Sequence, residues 1–304
     1  MTKKIPTTLC VIGCVLYCTN LTRILNAYRF GGYMKLSEFL EEFRCSTKDL
    51  SLYMKEDTAL EAVRQDGDAL KYVKEQTEEI CLEAVKNDGM ALVFVKNQTD
   101  LICLEAIKQN SNSLMYVINQ TDDICIEAVR RNGYALVFVK KQTYDLCLEA
   151  VRADGDALQY VEDQTYELCL EAVRQNGDAL KYVKKQTHEL CLEAVRQNGN
   201  SLKYVEDETY ELCIEAVRRN GNSLKYVKEQ THELCLEAVK QNGLSIKYVK
   251  EQTEEICLEA VKRYGWTLYF VKEQTAVICL AAVKQKASAL KYVNPNVFEI
   301  DIEL

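Results

Sequence analysis

The sequence predicts an all-α protein, an α-solenoid of about 11 stacked helical hairpins of 22 residues each. Three observations predict this fold. A Thr returns every 22 residues with a Cys four positions after it, helix-capping residues flank a short amphipathic segment, and a second such segment follows. The recurring threonines are Thr77, Thr99, Thr121, Thr143, Thr165, Thr187, Thr209, Thr231, Thr253 and Thr275.

The first segment of each repeat has the features of a short α-helix. We number each repeat from its Thr as position 1. This Thr is a favoured N-cap residue, and acidic residues follow it where the helix dipole favours them. Asp88-Gly89 or Asn176-Gly177 closes the segment in the manner of a C-cap. At about 100° per residue, positions 4, 5, 6, 8 and 9 form an apolar face that we expect to be buried.

The second segment carries Ala91, Leu92 and Val95 and predicts another short amphipathic helix. Isolated helices below about 12 residues are marginal in water, so neither segment is expected to be stable alone. Stacking against neighbouring repeats must therefore supply the stability, as it does in solenoid proteins.

Four segments follow one another along the chain. Residues 1–33 contain a short apolar run after Lys3 and Lys4, which reads as a signal-like segment, a membrane anchor, or sequence upstream of a true start at Met34. Residues 34–54 are amphipathic and predict an N-terminal helical cap. The solenoid is expected over 55–296, and 297–304 reads as a C-terminal capping half-unit with Asp301 in the Cys position.

Composition excludes several classes of protein. With 48% hydrophobic and 28% charged residues, the chain is neither disordered nor a multi-pass membrane protein. Its net charge of −8 argues against a surface that neutralises phosphates, so we expect no nucleic-acid partner.

The recurring cysteines do not indicate a disulfide or metal framework. Equivalent atoms in successive repeats are expected about 10 Å apart, whereas a disulfide needs Cα atoms within about 7 Å. We therefore expect buried free thiols, which favour a reducing cytoplasmic compartment over secretion or anchoring. The two histidines, His188 and His232, lie two repeats apart, too far for a shared site. The sequence thus predicts no catalytic residue, no cofactor and no metal.

The motif Gln-Thr-x-Glu-Leu-Cys-Leu-Glu-Ala-Val-Arg-x-Asn-Gly-x-Ala-Leu-x-Tyr-Val-Lys is specific and covers about four-fifths of the chain. It resembles a family of short helical repeats of unknown function, found mainly in giant mimivirus-like DNA viruses and in some bacteria. The resemblance implies a viral or bacterial origin and no particular activity.

Positions 14, 17 and 21 vary between repeats and are expected to form an outward stripe on the second helix. This stripe is polar in the middle of the array and apolar towards both ends. The candidate partner-binding residues are Met90, Val93, Met115, Ile118, Tyr134, Val137, Leu244, Trp266 and Tyr269.

These observations predict a scaffold without enzymatic activity that binds a protein partner through the outward face of the second helices. Self-association into a structural assembly is the first alternative, and a thiol-based redox protein is the second. The apolar patches could also be covered by residues 1–54 and by the C-terminal tail.

Overall fold

The computed structural model describes residues 56–298, with side chains described from residue 59 onward. Ten-residue α-helices alternate with six-residue 3-10 helices throughout this part of the chain. The α-helices, α1 to α11, are Glu56–Gln65, Glu78–Asn87, Asp100–Gln109, Asp122–Arg131, Tyr144–Ala153, Tyr166–Gln175, His188–Gln197, Tyr210–Arg219, His232–Gln241, Glu254–Arg263 and Ala276–Gln285. The 3-10 helices, η1 to η12, are Gly67–Tyr72, Gly89–Phe94, Ser111–Tyr116, Gly133–Phe138, Gly155–Tyr160, Gly177–Tyr182, Gly199–Tyr204, Gly221–Tyr226, Gly243–Tyr248, Gly265–Phe270, Ala287–Tyr292 and the four-residue Pro295–Phe298.

No strand occurs between residues 56 and 298. The predictions for residues 1–33 and 34–54, and for most of the C-terminal half-unit, fall outside the described residues.

The chain divides into two compact units, Met1–Glu149 and Ala150–Leu304. In the first unit, α1 packs against α2, α2 against α3 and α3 against α4, while η1, η2 and η3 each contact the α-helix on either side. In the second unit, α6 to α11 and η6 to η11 repeat the same pairwise packing. Each unit is thus built as an α-solenoid, which confirms the predicted fold class.

The α-helices begin as the sequence predicts. The Oγ1 atom of Thr77 accepts a hydrogen bond from the amide of Ile80, and the same cap recurs at the later threonines. Side chains at positions 4, 5, 8 and 9 are buried. The prediction for position 6 was wrong, because Leu82 and Leu104 are only half-buried. Position 6 lies about 60° beyond the arc of the other four and reaches the edge of the packed face.

The second segment is helical, but it forms 3-10 helices. In the second repeat, Oδ1 of Asp88 accepts a hydrogen bond from the amide of Met90 and so caps the helix start. The amide of Val95 closes it on the carbonyl oxygen of Leu92, three residues back. A segment of six residues allows about two such turns, and 3-10 geometry is usual in pieces this short.

The α-helices end where the sequence predicts, since Asp88 is the C-cap of α2 and its amide donates to the carbonyl oxygen of Ala84. The glycine that follows the cap in most repeats does not adopt the left-handed conformation. Gly177 lies outside the left-handed region, and a Cβ atom added there would lie 2.7 Å from the carbonyl oxygen of Ala194 in the next repeat. Close approach between repeats therefore favours glycine at residue 177, with the small Ala194 on the facing helix.

A glutamine at position 22 connects neighbouring repeats, a role that the sequence analysis missed. Nε2 of Gln98 donates to the carbonyl oxygens of Leu92 (3.4 Å) and Tyr116 (2.9 Å), while its Oε1 accepts from the amide of Ile118 (2.9 Å). The thiol of Cys103 approaches the same oxygen at 3.7 Å. One side chain thus satisfies backbone groups of two repeats, which fixes the loops beside the 3-10 helices.

Candidate functional site

The candidate residues of the first unit lie on or just after the 3-10 helices and are largely exposed. Val93, Met115 and Val137 occupy position 17 of successive repeats and are each about half-exposed. Ile118 is 61% exposed, and Tyr134 is 36% exposed. Met90 is half-buried, and its Sδ accepts from Oγ of the buried Ser113 at 3.9 Å. We call these six candidate residues the first apolar patch.

The prediction that position 21 lies on the same stripe as positions 14 and 17 was wrong. Each 3-10 helix ends at position 18, so position 21 lies in the following loop. In a 3-10 helix, residues three apart lie above one another, so positions 14 and 17 form the stripe. All the candidate residues except Ile118, at position 20, occupy those two positions.

The candidate residues of the second unit form an aromatic cluster. The rings of Trp266 and Phe270 lie 6.1 Å apart, and the ring of Tyr269 lies 5.1 Å from Phe270 and 5.7 Å from Tyr292. Tyr269 is 66% exposed, whereas Trp266 and Leu244 are half-buried. We call Leu244, Trp266 and Tyr269 the second apolar patch.

An aromatic neighbour of the second apolar patch was missed. Tyr264 lies 6.5 Å from Trp266 between ring centroids and is exposed. It stands where inner repeats have Asn or Asp, and the second helix there has no side-chain cap. The departure from the repeat pattern at position 12 is the signal that could have identified it.

In the second unit, position 17 of the four repeats that precede the repeat of Trp266 along the sequence carries lysines that lie over tyrosine rings. The Nζ atoms of Lys181, Lys203, Lys225 and Lys247 lie 4.4 to 4.7 Å from the ring centroid of the next residue. Burial opposes the charge of Lys181, but its hydrogen bonds to Tyr182 and Asp156 raise its pKa above the ordinary value. For Lys225, a hydrogen bond to Tyr226 is the main cause of a raised pKa. The ammonium groups of Lys181 and Lys225 are therefore charged at neutral pH.

Comparison with known proteins identifies the repeat. The profile of a family described as a domain of unknown function, DUF4116, matches residues 55–99, 77–120, 121–165, 143–187, 165–209, 187–231, 209–253 and 231–276. The chain belongs to the DUF4116 family. No curated protein and no solved structure matches it.

The buried cysteines of these DUF4116 repeats have little nucleophilic character. None of the ten, from Cys81 to Cys279, forms a disulfide bond, and all of them are buried. Burial raises the pKa of most of them above the ordinary value of 9.0, to about 11 for Cys103 and Cys191. A raised pKa depletes the thiolate, which is the reactive form.

The two histidines of this DUF4116 chain each contact one carboxylate. Nε2 of His188 lies 3.1 Å from Oε2 of Glu211, and His232 repeats the contact with Glu255. Within residues 56–298, no group of three His, Cys, Asp or Glu side chains is placed to hold a metal ion. None of the helices described there has both the length and the apolar character that a membrane span requires.

Proposed function

We propose that this DUF4116 chain is a scaffold without enzymatic activity that binds a protein partner through the outward face of its 3-10 helices. One observation carries the proposal. The residues that build the array recur in most repeats, whereas the exposed position 17 changes from Val93, Met115 and Val137 to Gln159, then to lysines and then to Tyr269. Variation confined to an exposed face is what a surface adapted to a particular partner requires.

The geometry of this face supports the proposal. Exposed apolar side chains occupy the same position in three successive repeats, Val93, Met115 and Val137. Contiguous exposed apolar surface usually marks a contact with another protein. The capping side chains and the position 22 glutamines hold the backbone of the 3-10 helices in place. Little conformational entropy would therefore be lost on binding, which favours affinity.

The expected partner is a protein. The net charge of −8 supports the expectation that nucleic acid is not bound, and no cofactor is proposed. The free thiols support a reducing compartment such as the cytoplasm. The resemblance noted in the sequence analysis supports a viral or bacterial origin, with a host cytoplasm as the location if the origin is viral.

Selection from a random peptide display library tests the proposal. The full-length chain is compared with a variant that combines Val93→Lys, Val137→Lys and Trp266→Asp. We expect peptides that are enriched on the unmodified chain to lose binding to this variant. Leu101→Lys is the matched control, because Leu101 is 53% exposed but lies on an α-helix. Circular dichroism establishes that all three proteins are equally helical.

If no peptide is enriched, or if enriched peptides bind all three proteins equally, the proposed binding face is wrong. The self-association alternative is tested on the same proteins by measuring mass against concentration. A mass that rises with concentration for the unmodified chain, but not for the triple variant, would favour the structural role, because the same patches would then join copies of this chain.

A further inference from the structure

Two aspartates in the second unit bind the lysines of the next repeat. Oδ1 of Asp178 accepts hydrogen bonds from Nδ2 of Asn198 (2.9 Å) and Oγ of Ser201 (2.8 Å). Its other oxygen, Oδ2, lies 3.4 Å from Nζ of Lys203. Oδ1 of Asp156 likewise accepts from Nδ2 of Asn176 (2.9 Å), with Ala179 in place of the serine, and its Oδ2 lies 3.1 Å from Nζ of Lys181. One oxygen of each aspartate therefore holds the neighbouring repeat, while the other neutralises a lysine.

In the next two repeats the same position is Asn. Oδ1 of Asn200 accepts from Asn220 (3.1 Å) and Ser223 (3.4 Å), so the inward role of the aspartate is kept. Asn222 does the same with Asn242 and Ser245.

The orientation of these amides follows from the backbone. Oδ1 of Asn220 accepts from the amide of Asn222, so its Nδ2 must face Asn200. Asn200 must then present its Oδ1 to Asn220, as Asp178 presents its Oδ1 to Asn198. The Nδ2 of Asn200 therefore takes the place of the Oδ2 that pairs with a lysine in Asp178. The amide of Leu244 orients Asn242 in the same way.

The consequence is a change in charge along the stripe. Among the described residues, Lys225 and Lys247 have no carboxylate within ion-pair distance, and Asn200 and Asn222 stand where Asp156 and Asp178 neutralise the earlier lysines. Nζ of Lys225 lies over two rings, 4.6 Å from the Tyr226 centroid and 6.0 Å from that of Tyr248. At two successive positions an ammonium without a carboxylate partner is therefore combined with an amide whose oxygen is already bonded within the array, and an ammonium with a donor amide is suited to a carboxylate. The next position along the stripe is apolar, with Leu244 and Tyr269.

We propose that Lys225 with Asn200, and Lys247 with Asn222, bind two carboxylates of an extended acidic segment in a partner protein. Leu244 and Tyr269 receive an apolar side chain of the same segment. This inference rests on the proposed function and names the chemistry of its partner. Packed helices are about 8 to 10 Å apart, and an extended chain advances about 3.3 Å per residue, so each step of the array corresponds to about three residues of the partner. The favoured pattern is acid-x-x-acid-x-x-apolar, in one chain direction or the other.

The test uses two fluorescein-labelled peptides, Glu-Ser-Ser-Glu-Ser-Ser-Leu and its reverse sequence, with fluorescence anisotropy on the full-length chain. The decisive variant combines Asn200→Asp and Asn222→Asp. It installs the residue that Asp156 and Asp178 already have at that position, so the fold is expected to be kept while Lys225 and Lys247 become neutralised. We expect the variant to bind the better peptide about tenfold more weakly, from two exposed ion pairs.

The control variant is Asn97→Asp with Asn119→Asp, which adds the same charge at exposed loop positions of the first unit and is expected to bind as the unmodified chain does. The reciprocal variant, Asp156→Asn with Asp178→Asn, releases Lys181 and Lys203. It is expected to bind a peptide with four acids at the same spacing about tenfold more tightly than the unmodified chain does.

Three results would overturn the inference. The first is equal binding by the unmodified chain and the Asn200→Asp, Asn222→Asp variant. The second is equal binding of peptides with Gln in place of Glu. The third is tighter binding of the peptide Val-Phe-Glu-Ile-Asp-Ile-Glu-Leu, which is residues 297–304 and would identify the chain's own C-terminal segment as the occupant. If display selection yields peptides that lack acids and ignore these asparagines, the inference fails while the proposed function stands.

Discussion

The thiol of Cys213 lies 3.2 Å from Oε1 of Glu208, where the other described repeats place a glutamine before their cysteine. Burial first, and then the hydrogen bond to Glu208, raises the pKa of Cys213 to about 12. The same oxygen accepts from the amide of Lys228 at 3.0 Å. An ionised carboxylate can accept these bonds, but it cannot donate as Gln186 donates to Tyr204.

The substitution Glu208→Gln is therefore expected to stabilise the protein. The new amide can donate to the carbonyl oxygen of Tyr226, as Gln230 donates to Tyr248 at 3.0 Å, and it can still accept from Lys228. We expect the free energy of unfolding at pH 7 to rise by about 1 kcal/mol, measured by urea denaturation.

Gln230→Glu is the matched control, because it creates the opposite change in an equivalent repeat. It is expected to lower the free energy of unfolding by about the same amount. If Glu208→Gln is neutral or destabilising while Gln230→Glu is harmful, residue 208 has a role that the glutamine pattern does not explain.

The sequence was sufficient to predict the α-helices and the stacking, because both depend on local signals that recur every 22 residues: the Thr cap, the acidic first turn and the apolar face. It was insufficient to distinguish an α-helix from a 3-10 helix in the second segment. The spacing of apolar residues such as Ala91, Leu92 and Val95 suits both kinds of helix, because a segment of about six residues is too short to separate the two periods.

The outward position of Val93, Met115 and Tyr269 also followed from the sequence, because side chains that vary beside fixed apolar neighbours point away from the core. The pairing of Lys181 with Asp156 did not follow, since the two residues lie 25 positions apart and meet only through stacking. The bonds of the position 22 glutamines were missed for the same reason. The sequence around a recurring polar loop residue does not indicate that its side-chain amide bonds to two repeats.

Gly177→Ala is expected to destabilise the protein. The added Cβ would lie 2.7 Å from the carbonyl oxygen of Ala194, which belongs to a packed helix and cannot move aside cheaply. We expect a loss of about 1 to 3 kcal/mol in the free energy of unfolding, measured by urea denaturation.

Gly243→Ala separates this steric effect from a general preference for glycine. There the nearest atom is Cδ2 of Tyr264 at 3.0 Å, and the carbonyl oxygen of Ala260 is 3.3 Å away. A smaller loss is expected, because a side chain can adjust. Equal losses at Gly177 and Gly243 would show that close approach to the carbonyl is not the cause.

Alkaline pH is expected to destabilise the fold. The pKa of Cys103, Cys191 and Cys257 is raised from 9.0 to about 11 in the folded chain. Between these values the unfolded chain has lost protons that the folded chain keeps, so the free energy of unfolding falls as pH rises from 9 towards 11. Urea midpoints at pH 7, 9 and 10 measure the slope.

A variant with Ala at Cys103, Cys191 and Cys257 is the control for this slope, because Ala59 is buried at the same position in the first repeat. It is expected to be less stable at pH 7 but to lose stability less steeply above pH 9. An unchanged slope would assign the alkaline effect to other groups, such as the tyrosines.

The buried cysteines are expected to resist alkylation in the native state. Iodoacetamide at pH 8 reacts with thiolates, and a thiol with a pKa near 11 is only about 0.1% ionised at that pH. Peptide mass spectrometry should find Cys103, Cys191, Cys213 and Cys257 unmodified until urea unfolds the chain. Cys213 is expected to react most slowly, because its pKa is raised furthest, to about 12. Rapid modification of these four residues in the folded protein would contradict the buried geometry and favour the thiol-based redox alternative, since a redox cysteine must be accessible and partly ionised.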